Sequence, residues 1–332
     1  MNTTKPSPAT AAELLRASPL DALDARILLA HALGWSRTQL ITRADEPLDA
    51  AARARYLALQ ARRAAGEPIA QLTGAREFFG LEFDITPDVL IPRPETELLV
   101  ETALDAIDGI ASPCVLDLGT GSGAIAVSIA SERPDACVWA LERSVAALDV
   151  ARRNARKLLD PARAGGPLRF LESDWYAALD PGLRFHVVVS NPPYIARHDP
   201  HLAEGDLRFE PRGALTDEND GLAAIRTIVA GAHAFVAPGG ALWLEHGYDQ
   251  AAAVRALLDA AGFADVESRA DLASIERASG GRPARLTRRP APAGPGEIQY
   301  HFFSHAQLQQ GQSWTPNNAS SKSSTKTRSC SS

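Results

Sequence analysis

Apolar residues recur at helical spacing through residues 11–65, where Leu23, Ile27 and Ala30 follow Ser18, a candidate N-cap, and Pro19, a candidate first-turn proline. Gly34 interrupts the pattern, Leu40 follows, and a second stretch runs from Pro47 to Ala65. This predicts a small helical bundle with a packing role, one that positions a partner and carries no catalytic group. From Glu67 to Pro94 the period shortens to two. The run EFFGLEFDIT alternates aromatic and β-branched residues with polar ones between Gly74 and Pro87, which predicts a β-hairpin linking two domains. Pro94 then opens a helix with Glu95 and Glu97 in its first turn, where carboxylates favour the positive end of the helix dipole.

Residues 114–282 alternate short apolar runs with helical patterns: CVLDLG, AIAVSIA, CVWALE, SVAALDVARRNARKLL, LRFLE, HVVVSN, GLAAIRTIVAGAHAFV, GALWLEHG, AAAVRALLDAAG and DVESR. Strands alternating with helices of this length predict an α/β fold, a parallel sheet with helices on both faces, and function in such a sheet sits at the carboxyl ends of the strands. Beyond residue 282 the texture breaks into RPAPAGPG and a Ser/Thr/Asn/Lys-rich end, a composition expected to be disordered, with EIQYHFFSH as a strand candidate inside it. Asn318-Ala319-Ser320 matches a glycosylation sequon, which the missing secretory signal makes a coincidence.

Charge sharpens this division. Residues 283–332 hold six basic groups against one acid, so the net charge of −6 resolves into a tail at +5 and a body at −11. An acidic body argues against broad non-specific nucleic-acid binding, which needs Lys and Arg to replace phosphate counterions. No uncharged apolar run approaches the ~18–20 residues of a membrane helix, and the opening residues lack the apolar segment of a secretory signal, so a cytoplasmic location is expected. Cys114, Cys137 and Cys330 show no CxxC spacing; the first two are expected as buried thiols in strands. His186, His201, His233 and His246 lie 15, 32 and 13 residues apart, no ligand pattern, and are read as structural, with His246 at a strand end the one exception worth testing. No metal site is predicted.

Three motifs carry chemistry. Asp117-Leu118-Gly119-Thr120-Gly121-Ser122-Gly123 stands between an apolar strand and a helix; its glycines let backbone approach a ligand, and the helix N-terminus offers N–H groups to an anion. A nucleotide, a dinucleotide or S-adenosylmethionine suits it, as does a tight structural turn. Glu142 ends the next strand, nineteen residues after Gly123, where a carboxylate can accept from both ribose hydroxyls of an adenosine. Asn191-Pro192-Pro193-Tyr194 follows the apolar run HVVVS. Its prolines fix the backbone, the Asn191 amide oxygen and the Pro192 carbonyl can both accept from an NH2 group, and Tyr194 offers a flat face. Paired acceptors beside an aromatic face suit a planar NH2 substrate, whose conjugated nitrogen must recover lone-pair density before it can be methylated.

With these residues in place, the chain resembles the class I S-adenosylmethionine-dependent methyltransferases, and within them the release-factor glutamine N5-methyltransferase (PrmC/HemK) family. The resemblance covers roughly residues 10–282 and rests on GEPIAQLTGAREFFGLEF, IPRPETE, DLGTGSGAIA, SDWY, SNPPYI, DPHLAEGDLRFEP, DGL and LEHGYDQ in that order. It implies a Rossmann-like domain with a mostly parallel seven-stranded sheet over residues 94–282. A helical substrate-recognition domain over residues 1–73 and a hairpin linker over 74–93 would precede it, and a disordered tail over 283–332 would follow. It implies S-adenosylmethionine as cofactor, S-adenosylhomocysteine as product, class 1 peptide chain release factors as partners, and neither membrane nor direct nucleic-acid contact. Carried over by position, Asp117, Gly119, Thr120, Gly121, Ser122 and Gly123 would hold the methionine part of the cofactor, Glu142 its ribose, and Trp175 would sit near the adenine. Asn191 would contact both cofactor and substrate, with Pro192, Pro193 and Tyr194 lining the glutamine pocket, and Arg93 would order the wall of the cleft. The transfer implied is direct, from the sulfonium to the amide nitrogen of the glutamine in a Gly-Gly-Gln motif. Arg143 after Glu142, and Gln71 in place of a frequent aromatic, depart from the family without touching the expected chemistry; Gln310-Gly311-Gln312 echoes the release-factor tripeptide by chance. The competing readings are a ribosomal-protein glutamine methyltransferase, a nucleic-acid amino-methyltransferase using the same NPPY chemistry, and a cofactor-binding regulatory protein without catalysis.

Overall fold

The computed structural model describes residues 10–284. The disordered-tail expectation beyond Ala284, the strand candidate EIQYHFFSH, the sequon, Gln310-Gly311-Gln312 and Cys330 all lie outside the described residues. Five helices come first: α1 (Ala11–Ala17), α2 (Ala22–Leu33), α3 (Arg37–Thr42), α4 (Ala50–Ala64) and α5 (Ile69–Thr73). They bury Leu28, Leu29, Leu40, Tyr56 and Leu72 against one another. The hairpin β1 (Ala75–Phe78) and β2 (Leu81–Asp84) follows, then α6 (Glu97–Ala106) after a 3-10 turn over Pro94–Thr96. The remaining elements are β3 (Cys114–Leu118), α7 (Ala124–Glu132), β4 (Cys137–Glu142), α8 (Val145–Leu158), β5 (Arg169–Glu172), β6 (Phe185–Ser190), α9 (Arg212–Leu215), α10 (Ala223–Ala232), β7 (Val236–Glu245), α11 (Ala251–Ala260), β8 (Phe263–Ala270) and β9 (Glu276–Pro283).

The bundle departs from the expected caps. Asp21, accepting from the Leu23 N–H, starts α2, whereas Ser18 closes α1. The buried stripe of α2 is Ala25, Leu28, Leu29 and Ala32, so Leu23 faces solvent. A local spacing rule alone does not choose between neighbouring stripes when Ala and Leu fill most positions of a helix. The hairpin forms where expected, antiparallel with Phe78 opposite Leu81, and its two-residue turn, Phe79-Gly80, takes positive φ at both positions as the right-handed twist of the strands requires.

Seven strands form one sheet in the order β5-β4-β3-β6-β7-β9-β8. The pairs among β5, β4, β3, β6 and β7 are parallel, and β9 runs antiparallel between β7 and β8. Alternate residues of the central strands bury on opposite faces: Val115, Val187 and Val189 pack with α6, α7 and α8, while Leu116, Val188 and Leu242 pack with α10 and α11. That double burial is why the strands read as continuous apolar runs. Cys114 and Cys137 do lie in strands, opposite each other in β3 and β4, but half-buried at the strand starts where neither helical layer covers them fully. No helix among the described residues is long and apolar enough to cross a membrane.

Asn154 of α8 is fully buried and joins three segments. Its Oδ1 accepts from the Asp84 N–H at 2.7 Å, and its Nδ2 donates to the carbonyls of Asp84 at 3.1 Å and Ser122 at 2.9 Å. Asn154→Ala leaves these backbone groups without partners, and is expected to lower unfolding free energy by about 2–4 kcal/mol. Urea denaturation checks this; an unchanged midpoint and slope would contradict the role.

Candidate active site

Because β3 pairs with β4 on one side and β6 on the other, the chain leaves the sheet in opposite directions at β3, and a crevice opens at the carboxyl ends of these strands. The three motifs end there. The turn after β3 is held across the sheet: the N–H groups of Gly119 and Thr120 both donate to the Leu141 carbonyl, at 2.8 and 2.9 Å. Gly123 takes φ +84°, and a Cβ there would lie 3.3 Å from the Ala151 backbone of α8, so only glycine lets α7 and α8 approach this closely. Gly121 takes φ +55° with open space where its Cβ would be, and its N–H donates to Glu142 Oε2 at 3.1 Å. The other oxygen of Glu142 accepts from the Ser144 N–H at 3.0 Å, which fixes the carboxylate at the start of α8.

A cavity of about 540 Å³ lies over these groups, a size typical of small-molecule sites. Gly119, Gly121, Glu142, Trp175, Asn191 and Pro193 all line it. Trp175 stands at positive φ, its carbonyl accepting from Ser173 Oγ at 2.7 Å, with its ring beside Gly119. The other predicted residues stand behind the wall. Thr120 donates to Asp117 Oδ2 at 2.6 Å, and the Ser122 carbonyl takes the Asn154 amide. Pro192 is buried beneath Asn191, and the Tyr194 hydroxyl turns to Glu245 at 3.4 Å, away from the cavity lining. Arg143, expected to lie clear of the chemistry, instead lines the cavity, because α9 closes over it at Gly213.

The far wall comes from residues 195–223, where Pro211, Thr216 and Asp217 face the cavity. Buried Glu210 pairs with Arg93 and accepts from the Ile91 N–H at 2.9 Å, which ties residues 91–93 to this wall. Gln71 Nε2 donates to the Phe209 carbonyl at 2.9 Å, and Arg63 bridges Asp24 and Asp206, tying the helical bundle to the same segment. His246 is fully buried between Ser279 Oγ at 2.7 Å and the Gly247 carbonyl at 2.9 Å, outside the cavity lining. Among the described residues no group of three His, Cys, Asp or Glu could hold a metal ion.

Three polar residues at the site escaped the motif reading. Thr96 of the 3-10 turn accepts from Asn191 Nδ2 at 3.1 Å; Glu245 ends β7; Asp217 caps α10 through the Ala223 N–H. Glu245 had the signal that marked Glu142, a lone carboxylate closing an apolar strand.

The family model for the PrmC N-terminal domain matches residues 9–74, and that for the methyltransferase small domain matches residues 94–205. Over 282 residues the chain is 99% identical to the release factor glutamine methyltransferase of Burkholderia pseudomallei (strain K96243), covering 85% of this chain and 99% of that protein. The chain belongs to the release factor glutamine methyltransferase family. The Bordetella pertussis (strain Tohama I) member is 58% identical over 81% of this chain and 97% of its own length. The hMettl16 catalytic domain, solved in complex with MAT2A 3′UTR hairpin 1, shares the fold at 15% identity and TM-score 0.50, over 71% of this chain and 85% of that one. A Rossmann-like methyltransferase domain behind a helical N-terminal domain is therefore the family architecture.

Burial pushes the carboxyls of Asp117 and Glu245 up to about 7, against opposing hydrogen bonds from Thr120 to the first and from Thr96 and Tyr194 to the second. Unfolded, such groups titrate near ~4. The folded state therefore holds more protons between these values, and stability falls as pH rises from about 4 to about 7. Asp117→Asn is expected to flatten part of that decline. Urea midpoints at pH 5 and pH 8 measure it, and an unchanged difference between wild type and variant would contradict the assignment.

Proposed function

We propose that the chain transfers a methyl group from S-adenosylmethionine to the side-chain amide nitrogen of the glutamine in the Gly-Gly-Gln motif of class 1 peptide chain release factors. In this reading it modulates translation termination in the cytoplasm. The observation that carries the reading is the place of Asn191: it lines the same cavity as Glu142 and Gly121, and its Nδ2 is engaged by Thr96, so its Oδ1 is the atom left to accept from a substrate NH2.

The donor set suits S-adenosylmethionine. Each oxygen of Glu142 has one N–H partner and a remaining lone pair, enough for two neighbouring ribose hydroxyls. Open space at Gly121 admits close approach, and the Trp175 ring beside Gly119 offers a surface for a purine. On this reading Asp117, Thr120, Ser122 and Gly123 shape the turn that carries Gly119 and Gly121. When bound, the cofactor supplies a sulfonium methyl as the transferable group.

The protein's part is orientation and electrostatics. Asn191 Oδ1 accepts one amide hydrogen, while Pro192, Pro193 and Tyr194 fix the turn that presents it. An acceptor on the NH2 group raises density on nitrogen and stabilises the positive charge that develops there. The N-methylated cation is acidic enough to lose its proton to water, so no side chain serves as general base.

Purified protein incubated with methyl-labelled S-adenosylmethionine is expected to label an intact release factor and leave unlabelled a factor whose Gly-Gly-Gln glutamine is alanine. Asn191→Ala is expected to lower turnover about 10²-fold, the scale of a lost transition-state hydrogen bond. Label on both factors would contradict the acceptor, label on neither would contradict the substrate, and near-normal Asn191→Ala turnover would contradict the role of that residue.

A further inference from the structure

Gly119 and Gly121 follow β3, Glu142 ends β4 and Asn191 follows β6; beyond β6 in the sheet stand β7, β9 and β8, about 5, 10 and 15 Å further along at the usual strand spacing. β7 and β8 leave the sheet at the edge where Asn191 stands, and β9 enters there: the His246 N–H, just past β7, donates to the Arg277 carbonyl, near the start of β9, at 2.9 Å. Two short turns cap this stretch of edge. In residues 247–250, Gln250 Oε1 accepts from the Gly247 N–H at 2.8 Å, and Gln250 Nε2 donates to the Tyr194 carbonyl at 3.0 Å, which fastens the turn to the NPPY motif. In residues 271–275, between β8 and β9, Asp271 accepts from the N–H groups of Ala273 at 2.9 Å and Ile275 at 3.0 Å, and from Arg277 Nε at 3.0 Å. Each turn holds apolar side chains out in water: Tyr248 is 68% exposed, Leu272 is fully exposed, and Ile275 is exposed beside it.

A single exposed leucine needs no explanation. Three apolar side chains on turns fixed by side-chain hydrogen bonds, along the edge that continues from Asn191, call for one. We infer that Tyr248, Leu272 and Ile275 form a docking rim for the release factor, taking apolar side chains that flank its Gly-Gly-Gln loop. The inference rests on the proposed function for its partner and adds the surface that the partner meets. A glutamine that reaches Asn191 belongs to a protein, whose backbone on either side of it must cross the edge of the sheet, and the rim continues directly from the motif that receives the glutamine. Because Gln250 and Asp271 already fix the turns, their apolar side chains lose little freedom on contact, which favours them as anchors. Charge separates this partner from a nucleic acid. Arg277, the one cation within residues 247–250 and 271–277, is engaged by Asp271, so a phosphate backbone finds no free cation on either turn.

The test measures the Kd of the full chain, saturated with S-adenosylhomocysteine, for an intact class 1 release factor. Tyr248→Ser and Leu272→Ser are each expected to weaken binding by about 10-fold, and the double variant by more than either. Tyr248→Phe and Leu272→Met, which keep the apolar area, are expected to bind within about two-fold of wild type. Affinity for S-adenosylhomocysteine, and kcat at saturating release factor, are expected to stay within about two-fold throughout, because the rim contributes equally to ground state and transition state. Wild-type affinity for the factor in the double variant would overturn the inference. So would an equal loss of S-adenosylhomocysteine affinity, which would mean a distorted cleft, or a dimer of the chain that Leu272→Ser dissociates with factor binding unchanged, which would assign the rim to a second copy. Failure of the proposed function is read separately, on the wild type: a chain that neither binds nor methylates the factor would overturn that reading and the rim with it.

Discussion

Parallel pairing of β3 with both β4 and β6 is the constraint on which the rest depends. It aligns Leu118, Leu141 and Ser190 along one sheet edge, so the turn after β3, the carboxylate ending β4 and the proline turn ending β6 emerge side by side. Residues separated by more than seventy positions thus meet without any local instruction to do so. The hydrogen bonds from Gly119 and Thr120 to the Leu141 carbonyl, and from Ser190 Oγ to the Leu118 carbonyl at 2.6 Å, lock these ends across the strands. A methyl donor and its acceptor need that fixed juxtaposition, because orientation supplies much of the acceleration when no group on the protein reacts covalently.

Polar residues with little stake in the core then shape the space in front of the edge. Glu210, whose side chain is fully buried, sits between Arg93 and the Ile91 N–H and anchors the segment that forms the far wall. A buried ion pair is weak evidence for stability, since desolvation offsets most of its attraction, and its value here is geometric. Arg63 and Gln71 attach the helical bundle to the same segment.

Much of this was legible beforehand, for identifiable reasons. Doubly buried strands make continuous apolar runs, and Gly121, Glu142 and Asn191 close such runs with residue types the strand interior would reject. β9 was not legible: Glu276–Pro283 has little strand character because Gly280 and Gly281 occupy positions where a Cβ would strike the Trp243 ring or crowd Phe263 and Val266. That signal lies in a neighbouring strand some forty residues away. Glu210 and Thr96 were illegible for the same reason, since a carboxylate or hydroxyl acquires its role from partners brought up by the fold. The caps of the bundle failed differently. Ser18 and Asp21 are both good caps three residues apart, and packing decided between them.

The most direct test of the account is a crystal structure of the protein with S-adenosylhomocysteine and a peptide containing Gly-Gly-Gln. The account predicts the ribose hydroxyls on Glu142 and the glutamine NH2 on Asn191 Oδ1, with the nitrogen facing the sulfur. Peptide bound away from Asn191, or met there by Nδ2 in place of Oδ1, would contradict it.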